Sequence, residues 1–177
     1  MPRSAAIVQR IAILQSPAIA GIIPPLPPLA MCATFELKKK VFKPSREVIV
    51  RSRKGIGLHV WAGFARNESL NWWIQQGGVL LDIPADRFAE RSDLTRELHW
   101  DEIPEGLVLR GVMDLRTSVP LVKLVTRPST EEEWQQFQHP RMPLLETPLF
   151  AVIPEELILE FVTTVDSGKA PFQVELF

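Results

Sequence analysis

The chain has 177 residues, 46% of them hydrophobic and 23% charged, with 20 Lys and Arg against 21 Asp and Glu. That is enough for one domain with a real core, and the single cysteine, Cys32, excludes an intrachain disulfide framework and a cysteine-built zinc site. The near-zero net charge hides a split: residues 1–66 hold eleven Lys/Arg against two acids, Glu36 and Glu47, and the other 111 residues hold nine against nineteen. One end of the sequence is therefore suited to a polyanion or an acidic surface.

Residues 1–34 read as an apolar, proline-rich arm. A short helix is expected over 4–15 with Ser4 as its N-cap, and Pro24-Pro25-Leu26-Pro27-Pro28 can only be extended. Gln9, Arg10, Gln15 and several prolines interrupt the apolar run, which argues against a secretory signal. No uninterrupted apolar stretch is long enough to span a bilayer. Met31 before Cys32 is a poor fit to a lipoprotein cleavage site. Three readings compete: a docking arm, a transit-like segment, or an upstream start on a protein beginning at Met31. The favoured one is an arm that docks on a protein partner or on a second copy of the chain. A cytoplasmic protein without a membrane span is expected.

Residues 35–177 read as a single α+β domain. The segment 46–52 alternates, Arg53-Lys54-Gly55 supplies a turn, and Ile56, Leu58, Val60, Ala62 and Phe64 follow at period two. This is a β-hairpin pattern. A short helix is expected over 68–76 with Asn67 as N-cap and Gly77-Gly78 as its stop. Residues 79–83 read as a strand, 86–93 as a helical turn or two, and 97–102, 107–116 and 119–126 as successive strands. The clearest helix opens with Pro128-Ser129-Thr130-Glu131-Glu132, where Ser129 and Glu132 have capping-box spacing. It runs through Trp134 and Phe137 and stops before Pro140. Segments 149–153, 157–165 and 172–177 complete the strands. The expected fold is α+β with a mainly antiparallel, strongly bent sheet or partial barrel, two or three short helices and the extended N-terminal arm. A doubly wound nucleotide-binding fold is not expected, since strands and long helices do not alternate.

Two polar constellations are candidates for function. Lys38, Lys39, Lys40, Lys43, Arg46, Arg51, Arg53 and Lys54 place eight cations in seventeen residues, interrupted by Glu47 alone. Such a run attracts phosphate backbones and makes binding salt-dependent. Trp61, with Phe35 and Phe42 nearby, is the candidate stacking platform, and His59 is expected on its face. The bland alternative is that the acidic remainder of the chain neutralises the run and Trp61 packs under a helix. The second constellation is Glu97, His99 and Asp101, which would share one face of a strand whose Leu98 and Trp100 point the other way. A carboxylate beside imidazole can build a general base, but a solvated strand face explains the pattern more simply. Gly55-Ile56-Gly57 lies in a hairpin and supports no dinucleotide fingerprint. His139 is expected at a helix C-terminus.

The leading expectation is a non-catalytic interaction protein that binds a polyanion, such as a nucleic-acid backbone, or an acidic protein partner through the basic hairpin. The alternative is a small enzyme acting on a phosphate-bearing or nucleotide substrate, with Arg51 and Arg53 holding the anion and His99 with Glu97 or Asp101 transferring protons. Neither reading calls for a cofactor or a metal.

Overall fold

The structure is a computed structural model that describes residues 33–167 and 173–174. Residues 1–32 of the expected arm (1–34) lie outside the described residues, as do 168–172 and 175–177. The described residues form a mixed, strand-rich α+β fold.

Four strands make the smaller sheet, in the order β2-β1-β6-β7, with every neighbour antiparallel: β1 (Thr34–Leu37), β2 (Lys40–Phe42), β6 (Arg87–Arg91) and β7 (Leu98–Glu102). Lys38 and Lys39 join β1 to β2 in a two-residue turn, both with positive φ (49° and 66°), the twist that a tight hairpin requires. Ala33 and Thr34 are buried, and Thr34 already belongs to β1.

The larger sheet begins with the expected hairpin. β3 (Glu47–Ser52) turns through Arg53-Lys54 into the twelve-residue β4 (Gly55–Arg66), with Ser52 opposite Gly55. β5 (Val79–Ile83) adds to β3 through Arg51 and Asp82, and β8 (Val108–Asp114) pairs along the whole of β5. β9 (Leu121–Pro128) pairs antiparallel with β8 on one side and parallel with β4 on the other. The pairings β9–β4–β3–β5–β8 therefore return to β9. Three short strands extend this circuit: β10 (Arg141–Pro143) on β9, β11 (Leu145–Glu146) on β8 and β12 (Gln173–Val174) on β4. Gly63, at φ 103°, sits in the β4 irregularity between Trp61 and Phe64, where the register against β9 shifts. This is a bulge that bends a long strand.

The helices are short. Asn67–Ser69 is a 3-10 turn leading into α1 (Leu70–Gln75), and no side chain caps the start of either; the expected Asn67 cap is not made. α2 (Glu131–Phe137) does carry a capping box, one residue later than expected: Thr130 and Glu133 exchange the two bonds, at 3.2 and 2.8 Å. α3 (Glu155–Ser167) replaces the strand expected over 157–165. Leu157, Ile158, Phe161 and Val162 fall on one helical face, with Phe161 fully buried. Residues 86–93 hold strand β6 rather than a helical turn, and 149–153 carry no regular structure.

The core is centred on an aromatic stack between the two sheets. Phe35 lies 5.2 Å from Phe42 and 5.3 Å from Trp61, which meets Phe64 edge-on at 5.6 Å. Val48, Leu81, Leu109 and Val122, none of them accessible, extend it. Burying such side chains contributes about 1.5–3 kcal/mol each.

Candidate functional site

The basic run is dispersed over several features, one of which is a groove. Lys40, Val41 and Phe42 of β2, Lys43, Ser45 and Arg46 of the following turn, Glu47 of β3 and Val60 of β4 line an open depression of about 680 Å³. Its polar lining holds three cations and one carboxylate.

The turn that carries Lys43 and Arg46 is pinned by the strand behind it. Pro44 fixes its own φ, and Ser45 adopts a positive φ of 68°. Arg46 N donates to Lys43 O at 3.3 Å, Ser45 N to Trp61 O at 2.7 Å, and Trp61 N to Arg46 O at 2.9 Å. The Trp61 indole lies fully buried beneath, its Nε1 donating to Gly63 O at 2.8 Å. Two cations are thus displayed on backbone that the core holds in place. Both side chains are exposed, and neither makes an ion pair among the described residues.

The other members of the run have different fates. Lys38 is drawn to α3, its Nζ 2.8 Å from Glu155 Oε1, while its N–H donates to Asp86 Oδ2 at 2.6 Å. Lys39 is exposed at the β1–β2 turn, and Arg53 and Lys54 are exposed at the β3–β4 turn. Lys54 N is held by Ser52 Oγ at 3.2 Å. Arg51 is buried, 8% exposed, and is no surface phosphate contact. Trp61 has no exposed face, and Phe35 and Phe42 are as buried, so the three aromatics cannot stack on a ligand. They support the groove from below. His59 is half-buried, and desolvation lowers its pKa from the usual imidazole value.

The second constellation does not assemble. Glu97 precedes β7 and is exposed, as is Asp101, whose Oδ1 accepts from Glu102 N at 3.0 Å. His99 is half-buried with Nε2 shielded from solvent, and neither Glu97 nor Asp101 is bonded to it. Its cross-strand partner is Glu90 of β6, a residue that nothing in the sequence pattern singles out. Trp100 instead lies under the Arg87 guanidinium, 4.5 Å from ring centroid to Cζ, and Leu98 is exposed.

Glu90 is 2% exposed, and burial, followed by the charge of Asp93, pushes its pKa up to about 8. His139, also buried, presents Nδ1 to Arg141 O at 2.5 Å and lies 3.9 Å from Glu90 Oε2. It sits beyond Gln138, the left-handed C-cap of α2, rather than serving the helix terminus. Among the described residues no group of three or more His, Cys, Asp or Glu could hold a metal ion. No helix among them is long and apolar enough to cross a membrane.

No family model, no curated protein and no solved structure matches the chain.

Proposed function

We propose that the protein is a non-catalytic binding module for a polyanion, and that the Lys40–Lys43–Arg46 groove receives a nucleic-acid backbone. The observation that carries this reading is the pinned turn. Lys43 and Arg46 are exposed and unpaired, yet their backbone is fixed by the fully buried Trp61. Surface cations on fixed backbone lose less freedom on binding than cations on a free arm. Each phosphate they neutralise also releases counterions. Because Trp61, Phe35 and Phe42 are buried, contact with bases is not part of the mode; binding is to phosphate and independent of sequence. In this reading the strand circuit acts as a small partial barrel, whose bent strands set the groove beside the β2 edge.

The test is a salt titration with the full chain and generic single- and double-stranded oligonucleotides. Affinity should fall steeply with salt and change little with base composition. Lys43→Gln and Arg46→Gln should each reduce the slope of log K against log salt by about one. An absence of binding at low salt, or slopes unchanged in the double variant, would overturn the proposal. Binding of an acidic protein segment through the same cations would then be the next reading.

A further inference from the structure

The smaller sheet ends in β2 on one side and β7 on the other, and each of these strands pairs on one side only. At β2 the two-residue turn closes on Leu37 and Lys40, which form a hydrogen-bonded pair. The next pair, Glu36 and Val41, is then of the non-bonded kind, so the N–H and C=O of Val41 point away from β1. Val41 is also 41% exposed. At β7, the bonds from Ser92 N to Glu97 O (2.8 Å) and from Ile103 N to Asp86 O (2.9 Å) bracket the pairing with β6 and fix its alternation. Leu98, Trp100 and Glu102 fall at the non-bonded positions, and their backbone groups point away from β6. The N–H groups of Val41 and Trp100 meet no acceptor among the described residues.

The two edges carry opposite charge. Lys39, Lys40 and Lys43 lie on or beside β2, whereas Glu97, Asp101 and Glu102 lie on or beside β7. Lys39 and all three acids are exposed. The edges also run in compatible directions. Every neighbour in the sheet is antiparallel and the strands are four, so β2 and β7 point opposite ways. A second copy in the same orientation therefore meets this edge as an antiparallel strand, and the open groove beside β2 leaves the approach clear.

We infer that the protein associates with itself by extending this sheet, β7 of one copy adding to the β2 edge of the next. Val41 N–H donates to Trp100 O of the second copy, and that Trp100 N–H donates back to Val41 O. This register sets Lys39 beside Glu102 and Lys40 opposite Asp101, with Val41 and Trp100 on one face. Sliding by two residues loses the match: one way puts Lys43 opposite Arg96, and the other puts Lys39 at Pro104, which has no N–H. Pairing an edge with itself is worse. β2 on β2, centred on Val41, brings Lys39 against Lys43, and β7 on β7, centred on Trp100, sets no Lys or Arg opposite any acid. The contact joins two different patches, so it does not stop at two copies. A second copy and a polyanion would share the groove, but the self-association stands without the polyanion reading.

Sedimentation equilibrium of the full chain over a concentration series is the test. The weight-average mass should rise with concentration past that of a dimer and fall as salt is added. Lys39→Glu and Glu102→Lys each set like charges together and should weaken the association about tenfold. An equimolar mixture of the two variants recreates opposite charges at every junction and should return to within about threefold of the parent. In the wild-type protein, hydrogen exchange at Val41 and Trp100 N–H should slow as concentration rises, a readout that needs no variant to fold. A monomer at every concentration would overturn the inference. So would exchange at Val41 and Trp100 that ignores concentration, a dimer that tolerates Lys39→Glu, or variants that mixing does not rescue.

Discussion

Arg110 and Arg51 flank one carboxylate from opposite sides, and their surroundings could hardly differ more. Arg110 is 1% exposed, and acceptors on Asp82, Glu146 and Thr147 take up its donors. Arg51 is nearly as buried, yet its Nε and Nη1 have no acceptor among the described residues. In the sequence each is a strand arginine that follows two aliphatic residues, Ile49-Val50 and Val108-Leu109. What separates them is the path of residues 144–150 after β10. That segment runs beside β8 through β11, delivers Glu146 and Thr147 to Arg110, and closes over Asp82 with two N–H groups. Its two N–H groups go to Asp82, and no acceptor of the segment is bonded to Arg51 Nε or Nη1. A buried guanidinium in this fold is thus either fully paired or short of acceptors, and its hydrogen bonds distinguish the two.

The comparison can be broken by removing each arginine in turn. Arg110→Met leaves the Asp82 carboxylate buried without its cation and should cost about 3–5 kcal/mol, the range found when one partner of a buried pair is removed. Arg51→Met removes a desolvated charge that has no partner and puts an apolar chain against apolar walls. Its stability should stay within about 1 kcal/mol of the parent, or rise. Urea unfolding of both variants settles the matter: equal losses would mean that Arg51 is held by interactions equivalent to those of Arg110.

Glu90 shows a third way to bury an ionisable group, by holding a proton. Its pKa is raised, so the folded state binds a proton that the unfolded state releases. Stability from this group is complete below the ordinary carboxylate value of 4.5 and is lost as pH rises towards about 8. The loss between pH 5 and pH 8 should be about 3 kcal/mol. The charged and titratable groups near it are Asp93, His139 at 3.9 Å and the cross-strand His99. Glu90→Gln keeps the shape of the protonated side chain and should flatten this part of the pH profile, leaving the variant more stable than the parent at pH 8. Parallel profiles for the two proteins would show that Glu90 is charged in the folded state.

How much of this could be seen in the sequence depended on whether a residue's fate is set locally. The β3–β4 hairpin was legible because alternation and the Arg53-Lys54-Gly55 turn are local signals, and the α+β, largely antiparallel class followed from the spacing of such segments. The α3 segment reads as a strand by composition alone. Ile158, Phe161, Val162, Thr163 and Thr164 have strand-like composition, yet the spacing 157, 158, 161, 162 was helical, and Glu155-Glu156 supplied an acidic first turn. β6 was hidden by its charges, since Arg87-Phe88-Ala89-Glu90-Arg91 reads as solvent-facing until Glu90 is seen to be buried. Trp61 reads as a free-face residue only if β4 has a single covered face. Phe35 and Phe42 of the smaller sheet cover the other. For Arg51 a usable signal was present: it shares a face with Ile49 and lies opposite Ile56. The shielding of its donors, by contrast, depends on residues a hundred positions away.

The smallest test applies the same contrast of satisfied and unsatisfied groups at the start of α2. Ser129 and Thr130 are adjacent, and both stand before acids at suitable spacing, so the sequence alone left Ser129–Glu132 as the capping pair. The fold chooses Thr130 because Ser129 N is bound to Pro140 O at 3.1 Å, which fixes Ser129 in the connection from β9 and places Thr130 at the first free turn. Arg127 strengthens the choice, since its guanidinium grips both oxygens of Glu133, at 2.7 and 2.5 Å. That contact holds the Glu133 carboxyl below its usual pKa and aims it at Thr130 N. Thr130→Ala should therefore cost about 1 kcal/mol, the common value for a lost N-cap, whereas Ser129→Ala should lie within about 0.5 kcal/mol of the parent. The Thr130 penalty should persist at neutral pH and shrink in acid as Glu133 protonates and the reciprocal bond weakens. Equal penalties for the two substitutions would move the cap back to Ser129 and remove Arg127 from its support.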